Sequence, residues 1–151
     1  MKYRILSKTD KELYGANVAV TVDYTDLVAL GAVATGNVSI APLSGTIAVG
    51  QKVQFVGMSL TTPFVGSDSP TTCAVTVGDA GSANRYLTST ELLGSASYVS
   101  YAAGVAAGYC PTTAGAVLAG FTNTAKSMAN ITAGSVTFYL RIDDLRNWNQ
   151  P

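Results

Sequence analysis

Hydrophobic and polar positions alternate with a period of two along most of this chain, and helical periodicity is scarce. In "ANVAVTVDY" (residues 16–24), Val18, Val20 and Val22 alternate with Ala19, Thr21 and Asp23. "TIAVGQKVQFVGMSL" (46–60) holds two short runs around Gly50-Gln51, the second alternating through Val53, Phe55 and Gly57. "TTCAVTVG" (71–78) is β-branched and ends at a Gly-Asp turn, and "GAVLAGFTN" (115–123) follows the same style. In "GSVTFYLRIDDL" (134–145), Val136, Phe138, Leu140 and Ile142 face one way, and Thr137, Tyr139, Arg141 and Asp143 the other. That pattern describes a half-buried strand with one polar face.

Between these runs stand turn formers: Gly36-Asn37, Ala41-Pro42, Val49-Gly50, Thr62-Pro63, Ser69-Pro70, Gly78-Asp79 and Cys110-Pro111. "YLTSTELL" (86–93) fits either a strand or a short helical turn, and "DLVAL" (26–30) fits a turn of helix. About seven or eight short strands, with turn signals roughly every ten residues, predict an all-β fold: an antiparallel β-sandwich or a jelly-roll-like barrel. No internal repeat or second domain is evident. The expected organisation is a charged N-terminal arm at 1–12, a single β-sandwich domain at 13–145 and a C-terminal tail at 146–151.

Composition sharpens this picture. The chain has 151 residues, enough for one continuous core, with 48% hydrophobic and only 12% charged residues. Disorder, which requires low hydrophobicity and high charge, does not fit. Zero formal net charge argues against a nucleic-acid surface and against a polybasic membrane patch. The charges crowd the ends: Lys2, Arg4, Lys8, Asp10, Lys11 and Glu12 at one, Arg141, Asp143, Asp144 and Arg146 at the other. The body carries Asp23, Asp26, Lys52, Asp68, Asp79, Arg85, Glu91 and Lys126. A body so poor in charge is weakly protected against self-association, which suggests burial against other copies or a larger assembly. A Thr/Ser-rich surface that stays soluble without charge is the alternative. No apolar run resembles a signal-peptide core or a membrane span, so folding in a reducing cytoplasm is expected.

Candidate chemistry is sparse. The chain has no His, and Cys73 and Cys110 lack neighbours at metal spacing, so neither a zinc site nor a cofactor is expected. Two buried free thiols are expected in preference to a disulfide. Ser and Thr abound, but no base and no nucleophile elbow accompany them. The densest cluster of reactive side chains is "VGDAGSANRYLTSTELL" (77–93), with Asp79, Asn84, Arg85 and Glu91. Asp79 and Glu91, or Asp23 and Asp26, are carboxylate pairs of the kind a glycosidase uses. Asp79, Ser82 and Asn84 loosely suggest an oxygen-rich calcium loop. Turn chemistry accounts for the cluster better: Asp79 and Asn84 bond their own backbone, and Arg85 pairs with Asp79 or with a carbonyl, its stem lying on Tyr86. Tyr98, Tyr101 and Tyr109, set among Ala, Gly and Ser, form either an aromatic platform for sugar or protein, or plugs in a small-residue core. Trp148, in a charge-flanked tail, is either pinned onto its own domain or reaches out to a neighbour, the arm being the preferred reading.

"TVGDAGSANRYL" (76–87), an Ala/Gly-rich stretch and then "ITAGSVTFYLRIDDL" (131–145) together resemble small structural proteins of tailed bacteriophages. In those proteins a strand enters a Gly-Asp turn with an Arg-aromatic-Leu step, and a later "LTAG-x-V" turn leads into the final strand. The resemblance spans residues 76–145, nearly half the chain, and Ile131 stands where that turn has Leu. It implies a non-enzymatic head decoration or cement protein, jelly-roll-like, often trimeric, seated over junctions between major capsid subunits on the virion surface. The implied partners are the major capsid protein and further copies of the chain. The candidate interface residues are Lys2, Arg4, Lys8 and Lys11 of the arm, Tyr98, Tyr101 and Tyr109, and Arg146 and Trp148 of the tail. A host-surface or carbohydrate-binding module of a phage tail or fibre, using the three tyrosines, is the alternative.

Overall fold

The structure, a computed structural model, describes residues 1–6, 15–40, 46–67, 70–94, 97–100 (backbone alone) and 108–147. Strands β1 (Lys2–Ile5), β2 (Val18–Asp23), β4 (Gln51–Gly66), β7 (Ser97–Ser100) and β9 (Ile131–Asp144) form one antiparallel sheet in the order β1-β2-β9-β4-β7. Strands β3 (Thr35–Ser39), β5 (Thr72–Asp79), β6 (Ser82–Glu91) and β8 (Leu118–Thr124) form the second, in the order β3-β8-β5-β6. One short helix, α1 (Tyr24–Val28), follows β2, and 3-10 turns occupy Met128–Asn130 and Leu145–Asn147. The fold is an all-β sandwich; the sheets do not close, so the barrel alternative falls away. No helix among the described residues is long and apolar enough to cross a membrane.

The alternation legible in β2, β5 and β9 produces the core. Val18, Val20 and Val22 of β2, Val136, Phe138 and Leu140 of β9, and Cys73, Val75 and Val77 of β5 are buried in one continuous core. Phe121 of β8 joins the two sheets. Its ring centroid lies 6.2 Å from Phe64 of β4 and 6.4 Å, edge-on, from Phe138 of β9. These are favoured aromatic arrangements, each contributing about 0.5–1.5 kcal/mol beyond the area buried.

The pairing of β4 with β9 departs most from expectation. The sequence predicts breaks in this region, but β4 is one strand of 16 residues that runs through Gly57 and Pro63. Phe55 pairs with Leu140 and Gly57 with Tyr139, leaving Val56 as an extra residue in a bulge. The bulge resets the alternation: Val53 and Phe55 point into the core before it, Met58 and Leu60 after it. Without it, Met58 and Leu60 would turn to the outer face, losing roughly 1.5–3 kcal/mol each. The unpaired bulge residue costs about one net hydrogen bond, near 1 kcal/mol. Further shifts follow between Leu60 and Thr62, Thr62 and Val65, and Val65 and Gly66; in the middle one of these Pro63 needs no ladder donor and Phe64 turns inward onto Gly134.

Other punctuators also proved structural. Gly36-Asn37 lies inside β3; a Cβ at Gly36 would stand 2.7 Å from Leu30 Cδ1, so glycine there serves close packing. "YLTSTELL" resolves as strand, part of β6. Helix α1 carries a capping box: the Asp23 carboxylate accepts from the Thr25 amide at 3.0 Å, and the Asp23 amide donates to Asp26 at 3.0 Å. The segment foreseen as an arm begins as edge strand β1, laid antiparallel on β2 with Lys2 opposite Thr21 and Ile5 opposite Val18.

Gly134 has a φ of +139°, and a Cβ there would lie 2.4 Å from the Phe64 ring. Gly134→Ala should therefore cost about 1–3 kcal/mol, as strained backbone positions do. Gly94 has nothing within 4 Å of such a Cβ, so Gly94→Ala should be nearly neutral. Urea denaturation of both variants checks this, and equal midpoints would contradict the packing described.

Candidate functional site

The hairpin joining β5 to β6 builds the site. Asp79 Oδ1 accepts from the amides of Gly81 and Ser82, each at 2.9 Å, and so closes the turn. Gly78 permits this closure, since a Cβ there would stand 2.0 Å from the Ser82 carbonyl oxygen. Asp79 Oδ2 accepts from Arg85 Nε at 2.6 Å. The hydrogen bond to Asp79, with its charge, raises the Arg85 pKa above its ordinary value. The Arg85 guanidinium carbon lies 3.9 Å from the centre of the Tyr109 ring. Tyr109 is held from its own side by paired backbone hydrogen bonds with Val53, both 2.8 Å.

Of the two partners expected for Arg85, Asp79 is the one it takes, and the guanidinium stacks on Tyr109. Tyr86 faces inward at 2% exposure, and burial raises the pKa of its hydroxyl. Asn84 bonds Ser82 Oγ at 3.2 Å and takes no part in the Asp79 turn. Between this turn and the segment 109–117 opens a groove of about 330 Å³, lined by Asp79, Gly81, Arg85, Tyr109, Thr112 and Thr113 above the apolar Ile47 and Val117.

Glu91 sits at the far end of the same hairpin. Asp79 pairs near Ser82 and Glu91 pairs with Ala74, so five residues of strand, about 17 Å, separate the two carboxylates along β5. Glycosidases require separations of roughly 5–9.5 Å, so these two acids cannot act as a pair. Glu91 Oε1 instead accepts from the amides of Cys73 at 2.9 Å and of Leu92 and Leu93 at 3.0 Å. Asp23 and Asp26, the other pair considered, serve the helix cap. Among the described residues, no group of three or more His, Cys, Asp or Glu side chains converges.

The remaining candidates are dispersed. Lys2 and Arg4 are exposed on edge strand β1. Tyr98 lies on β7, its Cα opposite Ser59 of β4. Arg146 is held by the carboxylate of Asp144; that hydrogen bond lowers the Asp144 pKa to about 2. Lys8, Lys11, Tyr101 and Trp148 lie outside the described residues. Both cysteines are free, but only Cys73 is buried; Cys110 is exposed on the segment bordering the groove, contrary to the expectation of two buried thiols. The Arg85–Tyr109 stack had no local signal, because its partners come from separate strands and loops. Tyr109 was marked only by its small-residue surroundings.

Burial pushes the Cys73 thiol up to about 12, with the nearby Glu91 charge adding to the effect. In the native protein at pH 8, Cys110 should therefore react rapidly with a disulfide reagent, and Cys73 only after unfolding. Two fast equivalents would contradict this assignment. Glu91→Ala removes the acceptor of the Cys73 and Leu93 amides, while the Leu92 amide keeps the Cys73 carbonyl at 2.7 Å. It should destabilise by about 1–2 kcal/mol in urea, and Glu91→Gln, which keeps an accepting oxygen, should recover most of the loss.

Comparison of the chain with known protein families, with curated proteins and with solved structures returned no match.

Proposed function

We propose that this chain is a non-enzymatic structural protein of a tailed-phage particle, a head decoration or cement protein that acts as a homo-oligomer on the major capsid protein. The observation that carries the proposal is the use made of the 77–93 cluster. Its carboxylates hold a hairpin turn, an arginine and three strand-end amides rather than converging on a reacting centre. The Asp79 turn, which lies within the stretch that resembles the phage proteins, thus serves as scaffold, as a structural protein requires.

The surface supports the same reading. Ile5, Val33, Val49 and Val65 are exposed at 63%, 42%, 53% and 48% in a body with few charges. These side chains are available for contact between copies, of which a lattice protein makes many. In this reading Lys2 and Arg4 form the rim through which β1 meets the shell, and sister subunits cover the apolar ends. Binding only the assembled lattice would stabilise it by mass action.

Antibodies raised against the chain should decorate the outer head surface of particles produced from the genome that encodes it, seen by immunogold electron microscopy. In solution, light scattering should give a multiple of the 15.5-kDa chain mass, with a trimer expected. Label confined to tails, or particles that lack the chain, would overturn the head assignment.

A further inference from the structure

The groove beside the β5–β6 turn has chemistry that the hairpin does not use. Arg85 commits Nε to Asp79 and one face to Tyr109. Among the described residues, neither of its terminal nitrogens has an acceptor. A guanidinium offers its donors along two edges, and the edge carrying both terminal nitrogens is the one that grips a planar carboxylate through paired hydrogen bonds. Glycine at 81 leaves that edge approachable, since a Cβ there would stand 3.3 Å from Arg85 Nη2. Held by Asp79 and the Tyr109 ring, the side chain is fixed in advance, which lowers the entropic cost of gripping a ligand.

The rest of the groove limits what that ligand is. Its volume, about 330 Å³, stands at the lower end of small-molecule sites, so it fits one compact unit. Exposed Thr112 and Thr113 supply hydroxyls on one wall, and Ile47 and Val117 supply an apolar floor. We infer that this groove binds an acidic sugar residue, with the carboxylate on the free edge of Arg85, the sugar hydroxyls against Thr112 and Thr113, and the C–H face on the apolar floor. Asp79 offsets the arginine's positive charge, so a simple anion gains little and the hydroxyl contacts decide affinity. This site is independent of the particle role: immunogold labelling and ligand binding can each fail without the other.

Amide NMR titration tests it, with N-acetylneuraminic and glucuronic acids as probes and glucose and acetate as controls. An acidic sugar should shift the Gly81, Tyr109 and Gly115 amides saturably, with Kd on the order of 1 mM. Arg85→Lys keeps the charge but loses the fork, and should weaken binding roughly tenfold or more. If that variant loses its folded spectrum, Thr113→Val on the exposed wall should still weaken binding several-fold. No saturable shift with either acid overturns the site. Equal affinity for glucose overturns the carboxylate assignment, and equal affinity for acetate overturns the sugar assignment.

Discussion

The pairing of β4 with β9 is the constraint on which the rest of the molecule depends. These two long strands lie at the middle of the five-stranded sheet, and β9 carries β2 on its other side. A strand of 16 residues cannot keep one face on a curved core by strict alternation when its apolar residues change parity along its length. Val56 absorbs that change, and Val53, Phe55, Met58 and Leu60 all reach the interior as a result. The outer face gains as well: Val56 and Tyr139 pack against Leu6, Ala16 and Ala19 in a small second apolar cluster. One inserted residue thus serves both faces of the sheet.

The inward register of β4 and β9 also fixes how the sheets meet. Phe64 and Phe138 reach the interior from one sheet, and Phe121 enters between them from the other. Phe64 lies over Gly134, which closes the space a side chain would otherwise take. The second sheet is anchored in this way, so the β5–β6 hairpin projects from a rigid base. Few sheet neighbours adjoin in sequence: β2 pairs with β9, β3 with β8 and β4 with both β7 and β9. Contacts of such long range imply slow folding relative to helical domains, because loop closure precedes their formation.

On that base, the residues richest in chemistry split into two groups. Glu91 and one oxygen of Asp79 satisfy backbone donors at opposite ends of the hairpin. Arg85, gripped by the other oxygen of Asp79 and stacked on Tyr109, has donors left over beside a groove. The first group explains why the cluster looks reactive in sequence while its carboxylates are taken up by backbone amides. In the second, the ion pair that orders the turn also orients the guanidinium beside the groove.

Local pattern determined much of the fold: β2, β5 and β9 follow from alternating Val, Phe and Leu, and the Asp79 turn follows from Asp and Gly chemistry. Each of these depends on neighbours a few residues apart, whose geometry the covalent chain imposes. What only the tertiary structure decided depends on partners distant in sequence. Gly36 and Pro63 look like breaks, yet they sit within strands because Leu30 needs a smooth surface and a register shift excuses a missing donor. The separation of Asp79 from Glu91 required the β5–β6 register, and the partner of Arg85 required knowing which loop crosses the hairpin. Alternation states which face of a strand is buried, but only packing across the sandwich states what it is buried against.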